Sequence, residues 1–361
     1  MMNFQAKLVA VFAVLGAIAL LFTFEYPPIE TVQSGFRGTG MAHVVNSRAN
    51  DKAYAALKTP DVLERSKPSG TKASEVFKNV KVLGDVDQDD FIRLMSAITE
   101  WVSPDAGCAF CHKEGEDLSA DTLYSKVVAR RMLEMTRHIN GAWSAHVGET
   151  GVTCYTCHRG KPVPPMLWSK GTEEPRSIGM LGYTAGQNTP AKAVGLTSLP
   201  ADPFTAFLNY AEEIRVVSAT ALPEGNPRNI KETEGTYALM MHMSQALGVN
   251  CTFCHNSRAF SAWDQSSPKR VTSWHGIRMV RNLNMTYVET LKDTLPVERL
   301  GPAGDVPKVN CSTCHQGVFK PLYGRSQLSE FKPELTATPA KASGQAAPKA
   351  APASAPAPAK K

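Results

Sequence analysis

All eight cysteines of this 361-residue chain fall into one repeated pattern, Cys-x-x-Cys-His. The copies are Cys108-Ala-Phe-Cys111-His112, Cys154-Tyr-Thr-Cys157-His158, Cys251-Thr-Phe-Cys254-His255 and Cys311-Ser-Thr-Cys314-His315. Two thiols at this spacing can add across the vinyl groups of a porphyrin while the adjoining imidazole reaches its iron, the attachment signature of c-type haem. A single Cys-x-x-Cys pair would equally suit a redox dithiol or half a zinc site. Four copies, each followed at once by histidine and with no cysteine to spare, argue against paired zinc sites or disulfides. The expectation is four covalently bound haem c groups, with His112, His158, His255 and His315 as the proximal iron ligands.

The sixth iron position decides what such a protein does. An electron carrier fills it from the protein, whereas a haem enzyme leaves it open for substrate. A methionine thioether suits haem iron and raises its potential relative to a second imidazole. Any one helical methionine is ordinarily core filler, but here Met95, Met132 and Met240 stand on helices preceding the first three motifs. Met241 and Met243 compete with Met240. Spacing alone points to Met279 or Met285 for the fourth iron, and no lysine replaces a motif histidine. His138, His242 and His275 read as surface or propionate-contacting residues, and His43 has no assigned role. Arg270 and Arg278 are candidates for pairing with haem propionates, with solvated helix charge as the alternative.

These residues need helices to carry them. The chain reads as mainly α with long loops, the fold class of a multihaem cytochrome with two pseudo-repeated two-haem halves and one N-terminal transmembrane helix. The first ligand helix follows Asp89 and Asp90 and places Phe91, Leu94, Met95, Ile98 and Val102 on one stripe. Others are expected at about Thr122 to Ala145, around Tyr237 to Leu247, and at about Trp274 to Leu295. Arg131-Met132-Leu133 resembles Arg278-Met279-Val280, which hints at duplication. The division is an N-terminal membrane anchor over 1–25, an extended wrapping segment over 26–70, and a first two-haem half over 71–165. A connecting segment over 166–203, a second two-haem half over 204–325 and a disordered Ala/Pro/Lys-rich tail over 326–361 complete it. Within the anchor, Leu8 to Phe24 holds no charge, enough to cross a bilayer with its apolar neighbours. The rival is a cleaved signal peptide, although its only small-x-small triplet, Ala17-Ile18-Ala19, lies inside the apolar run. Either form exports the remainder.

The formal net charge is +6, of which Lys341, Lys349, Lys360 and Lys361 supply four in an acid-free tail. The body is near neutral before haem propionates add negative charge, so a nucleic-acid partner has no support. Asp85, Asp87, Asp89 and Asp90 form an acidic run before the first ligand helix. It reads either as helix N-terminal charge or as a docking patch for a basic electron donor.

The chain resembles the tetrahaem cytochrome c subunit of the purple-bacterial photosynthetic reaction centre from about Pro27 to Tyr323. The resemblance is carried by Tyr237-Ala-Leu-Met-Met, Leu247-Gly-Val-Asn-Cys-Thr-Phe-Cys-His-Asn256, Trp274-His-Gly-Ile-Arg-Met-Val-Arg281 and Cys311-Ser-Thr-Cys-His-Gln-Gly317. It implies an electron-transfer subunit, not an enzyme, that relays electrons from a soluble periplasmic donor to the photo-oxidised special pair. It also implies reaction-centre L and M subunits as partners and a soluble cytochrome c or high-potential iron–sulfur protein as donor. The location implied is the periplasmic face of the inner membrane, held by the N-terminal helix. By position it gives Met95, Met132 and Met240 to the first three irons and His146 to the fourth. The readings set against it are a multihaem oxidoreductase with an open iron and a quinol-linked donor to another periplasmic partner.

Overall fold

The computed structural model describes residues 4–24, 30–33, 41–171, 191–217 and 228–336. Expectations for residues 172–190 of the connecting segment and for the tail from residue 337 lie outside these. In chain order the elements are α1 (Phe4–Leu21), β1 (Glu30–Gln33), β2 (Ala42–Val45), α2 (Ser47–Ala56), α3 (Ala73–Val76), α4 (Gln88–Val102), α5 (Tyr124–Ala142) and α6 (Ser144–Val147). They continue with α7 (Cys154–His158), α8 (Ile230–Leu247), α9 (Pro268–Leu283), α10 (Cys311–His315) and α11 (Lys332–Leu335). The protein is mostly helical. Helix α1 spans 18 residues at mean hydropathy 2.2 with no buried side chain, about 27 Å of apolar rod.

The chain divides into two compact units, each discontinuous in sequence. One comprises Val62–Pro162 together with the chain from Ser326 and holds the first two motifs; the other comprises Met1–Asp61 and Val163–Arg325 and holds the last two. They are called here the first-half and second-half units.

In the first-half unit, α4 starts where Asp87 accepts from the Asp89 N–H (3.0 Å), and Asp89 and Asp90 complement the helix dipole. Its inner face, Leu94, Ala97 and Trp101, packs with Leu83, Val86 and Leu133. Leu328, Phe331 and Leu335 complete that cluster, and the Phe331 ring meets Trp101 edge-on at 5.0 Å. Arg93 lies 4.0 Å over Phe331 and donates to the carbonyls of Leu63 (2.6 Å) and Glu330 (2.7 Å). Residues 326–335 are therefore core, not tail. Their three large apolar residues recur at helical spacing and form a stripe that α4 and α5 cover.

In the second-half unit, α8 begins at a capping box between Asn229 and Glu232 and ends at left-handed Gly248. Helix α9 begins earlier than its apolar periodicity predicts, because Ser267 caps it and Pro268 occupies its first turn. It runs on as a π-helical turn over Asn284–Val288 and a short turn over Glu289–Leu291. Its inner face packs on the segment Thr205–Asn209, where Arg281 donates to the Phe207 carbonyl at 2.9 Å. The region expected as an extended wrap instead holds an antiparallel pair, β1 with β2, and the ten-residue α2. Asn46 caps α2, and Arg325 binds its far end through the carbonyls of Leu57 (2.7 Å) and Tyr54 (3.3 Å). On the same unit Thr252 donates to the Ala42 carbonyl (3.1 Å), and His43 packs between Phe253 and Phe319.

Candidate functional site: the four Cys-x-x-Cys-His segments

The four segments adopt two local conformations. Around the first and third, Gly107–Phe110 and Cys251–Phe253 form tight turns. The histidine N–H closes each turn onto its first cysteine carbonyl, His112 to Cys108 and His255 to Cys251, both at 3.0 Å. The second and fourth are single α-helical turns, α7 and α10. Thr153 and Asn310 stand at their N-caps, each donating its N–H to the threonine three residues on (3.0 Å in both). Both turns stop at a left-handed residue, Arg159 (φ 54°) and Gln316 (φ 50°).

All four motif histidines share one feature that spacing does not reveal. His112 directs Nδ1 to the Leu118 carbonyl (2.9 Å), His158 to Lys161 (2.8 Å), His255 to Phe260 (3.0 Å) and His315 to Val318 (3.0 Å). A carbonyl only accepts, so Nδ1 carries the proton and the lone pair sits on Nε2. That is the tautomer and ring orientation of an Nε2 metal ligand held by its second neighbour. Burial holds His158 and His255 below the ordinary imidazole range, which keeps them neutral. The buried thiols of Cys154 and Cys311 are pushed up to about 12.

The helices that carry the candidate methionines are also two-faced. On α4, Leu94, Ala97 and Trp101 are buried while Met95 and Ile98 are only half covered. On α5, Leu133, Thr136 and Ile139 are buried, with Met132 and Met135 half covered; on α8, Ala238, Leu239 and Ala246 are buried, with Met240, Met241 and Met243 half covered. Each methionine thus lies on an apolar stripe that protein covers in part, as a flat apolar cofactor requires. Among the described residues no three His, Cys, Asp or Glu side chains gather as a metal cluster. The paired thiols with an adjoining, Nδ1-anchored histidine fit haem c.

Each unit packs a ligand helix on its motif helix, α4 on α7 and α8 on α10. Gly160 donates to the Trp101 carbonyl (2.9 Å) in the first-half unit, and Gly317 to the Ala246 carbonyl (2.8 Å) in the second-half unit. These acceptors lie at the same remove from Met95 and Met240, and these donors at the same remove from His158 and His315. A second correspondence runs through asparagine. The Asn140 amide group donates to the Val152 carbonyl (2.9 Å) and its Oδ1 accepts from the Val152 N–H (2.8 Å). Asn284 makes the same pair with Val309, both at 3.0 Å. Val152 and Val309 each stand two residues before a motif. This register sets Asn284 against Asn140 and Arg281 against Arg137. The echo of Arg131-Met132-Leu133 in Arg278-Met279-Val280 is therefore three positions out of register. Sequence reading missed both asparagines, whose only signal is an Asn near the end of each second ligand helix.

Other candidates fall elsewhere. Met279 is buried at 7% exposure, Met285 is exposed on the π turn, and His146 lies on α6 of the first-half unit. His242 is a core residue against Phe204, held by burial at about 4, with Nδ1 at 3.2 Å from the Ala193 carbonyl. His138 accepts from the Trp143 indole (3.2 Å). Arg270 donates to the Ala262 carbonyl (2.9 Å) and Ser266 (2.7 Å) and lies over Trp263; Arg278 lies over Trp274. In the acidic run, Asp85 pairs with Arg137 (2.8 Å) and Asp90 with Arg65 (2.5 Å), while Asp87 caps α4 and accepts from Ser69. Asp89 is exposed. Much of that charge builds the fold.

Sequence comparison places these features in a known group. The profile of the photosynthetic reaction centre cytochrome C subunit matches residues 25–336. The photosynthetic reaction center cytochrome c subunit of Rubrivivax gelatinosus is 51% identical over 91% of this chain and 90% of its own length. That of Thermochromatium tepidum is 47% identical over 95% and 84%, and that of Roseobacter denitrificans 40% over 91% of each. With its haem-attachment motifs and its long match to these electron-transfer proteins, the chain belongs to the family of photosynthetic reaction centre cytochrome c subunits.

Proposed function

We propose that the chain carries four haem c groups and relays electrons from a soluble donor to the photo-oxidised pigment pair of its reaction centre. The observation that carries this is the shared Nδ1 anchoring of four motif histidines beside three half-covered methionine stripes. Thioether attachment is assigned to Cys108, Cys111, Cys154, Cys157, Cys251, Cys254, Cys311 and Cys314. His112 with Met95, His158 with Met132 and His255 with Met240 would hold three irons. His315 with His146 would hold the fourth, a pairing that rests on the family resemblance. The bound group supplies a one-electron couple, whose potential follows axial ligand, burial and nearby charge. The chain's own residues fix ring orientation through the carbonyl anchors, and rigid filled coordination keeps rearrangement small when the charge changes.

The matching Gly160–Trp101 and Gly317–Ala246 bonds and the two Asn–Val pairs support a duplicated two-haem half as the origin of the fold. The L and M subunits are the proposed partners, with a soluble cytochrome c or high-potential iron–sulfur protein as donor. Helix α1 would hold the chain at the periplasmic face of the membrane. Flash-induced absorbance of membranes poised at several potentials tests the whole reading. Haem bleaching after one flash, in up to four potential-resolved steps, is expected; membranes in which no haem responds would refute it.

A further inference from the structure

The Asn–Val pairs fix the register in which α5 and α9 approach their motifs, and that register has a consequence for the fourth iron. Met132 lies eight residues before Asn140, and the residue eight before Asn284 is Gly276. Met132 to Asn140 is uninterrupted α-helix, and Gly276 to Leu283 is α-helix with Asn284, the first residue of the π turn, still at helical φ and ψ (−61°, −48°). Rise and rotation from the pin are therefore closely matched, about 12 Å and two turns. Arg137 and Arg281, three residues before each pin, both donate to backbone carbonyls, at 2.7 Å to Val82 and 2.9 Å to Phe207. Gly276 therefore stands where the second iron's methionine stands. Met279 matches Met135 and is buried. Met285 lies beyond the pin, on the π turn and exposed. A glycine inside a helix costs about 1 kcal/mol relative to alanine, so one at this position needs a reason.

We infer that α9 is a ligand helix emptied of its ligand, and that Gly276 is the residue that obliges the fourth iron to take its sixth ligand from elsewhere in the chain. The inference rests on the four-haem reading above and gives a reason why α9 does not supply the sixth ligand. It also names the position at which ligation is decided. With a thioether at that position the fourth iron would match the second; with none, its coordination is left to a residue outside α9.

The test uses the full chain with its haems attached, read by spin state and by the midpoint of each haem. Met279→Leu and Met285→Leu should leave every haem low-spin, and a high-spin haem in either overturns the inference. His146→Ala should turn one haem in four high-spin and able to bind carbon monoxide. Adding Gly276→Met to His146→Ala should restore that haem to low spin at a higher midpoint than in the parent, whereas adding Gly276→Leu should not. A Gly276→Met double variant that folds with four haems yet stays as open as His146→Ala overturns the inference, as does rescue by leucine. If His146→Ala is silent, the His146 assignment falls separately, and the two methionine variants still decide whether α9 supplies the ligand.

Discussion

A neutral imidazole that donates through Nδ1 offers its lone pair at Nε2, and this chain sets that state four times with a backbone carbonyl three to six residues downstream. The sequence made the histidines legible as candidate ligands because the motif is local; the anchor was not, since any residue can supply a carbonyl. The methionines were legible as candidates only, and half coverage fits Met95, Met132 and Met240 but is shared by Met135, Met241 and Met243. Each of Met95→Leu, Met132→Leu and Met240→Leu should open one iron, seen as loss of one low-spin haem signal. The swap conserves volume, so denaturant midpoints should report a cost below about 1.5 kcal/mol. A second residue-scale prediction concerns Glu334, fully buried, with neither carboxyl oxygen hydrogen-bonded. Burial raises its pKa, with Asp90 adding to the rise and Arg65 and Arg93 opposing it. A carboxyl raised on folding contributes stability below its unfolded value of about 4.3 and loses it as pH climbs through the folded value. Glu334→Gln should therefore stabilise the protein at neutral pH and flatten the fall in stability above pH 4.3, by up to about 1.4 kcal/mol per pH unit. Thermal scans across pH check both.

At the level of elements, helices α4, α5 and α8 were readable from apolar periodicity, α4 also from its acidic start, with boundaries shifted by caps. Helix α9 was misjudged at its start because Ser267 and Pro268 carry no apolar signal. The relation between the two second ligand helices was read three residues out because a recurrent Arg-Met pair looks like homology. What aligns them is a hydrogen-bond pair between one side chain and one backbone unit, which no residue pattern displays. Asn284 is fully buried and serves the Val309 N–H and the carbonyls of Val309 and Leu208. Asn284→Leu leaves these groups unpaired inside the protein, each at about 1–3 kcal/mol before relaxation. A loss of about 3–5 kcal/mol is expected in denaturant titrations, with Asn140→Leu comparable and both well above the methionine variants. The acidic run teaches a related lesson. Its spacing suggested either helix N-terminal charge or a docking surface; Asp87 caps the start of α4 and Asp85 and Asp90 hold arginines, so variants there would confuse folding with encounter.

On the scale of the molecule, the sequence yielded a helical two-part protein, but it assigned the wrong owner to residues 326–335. Their stripe of Leu328, Phe331 and Leu335 was legible as a pattern and was passed over because the neighbouring chain is low in complexity. Truncation before Ser326 should strip Trp101 and Leu94 of their cover and unfold the first-half unit, while truncation after Thr336 spares that core. Hydrogen exchange should show early loss of protection in α4 and α5 for the first truncation only. The same closure bears on how the protein is made. Arg93 meets Glu330 across a separation of 237 residues, so a chain emerging from its N-terminus cannot finish the first-half unit until nearly all of it has been delivered. Contacts that distant form slowly. Cys108, Cys111, Cys154 and Cys157 thus belong to a unit whose core is completed only by the arrival of Leu328, Phe331 and Leu335.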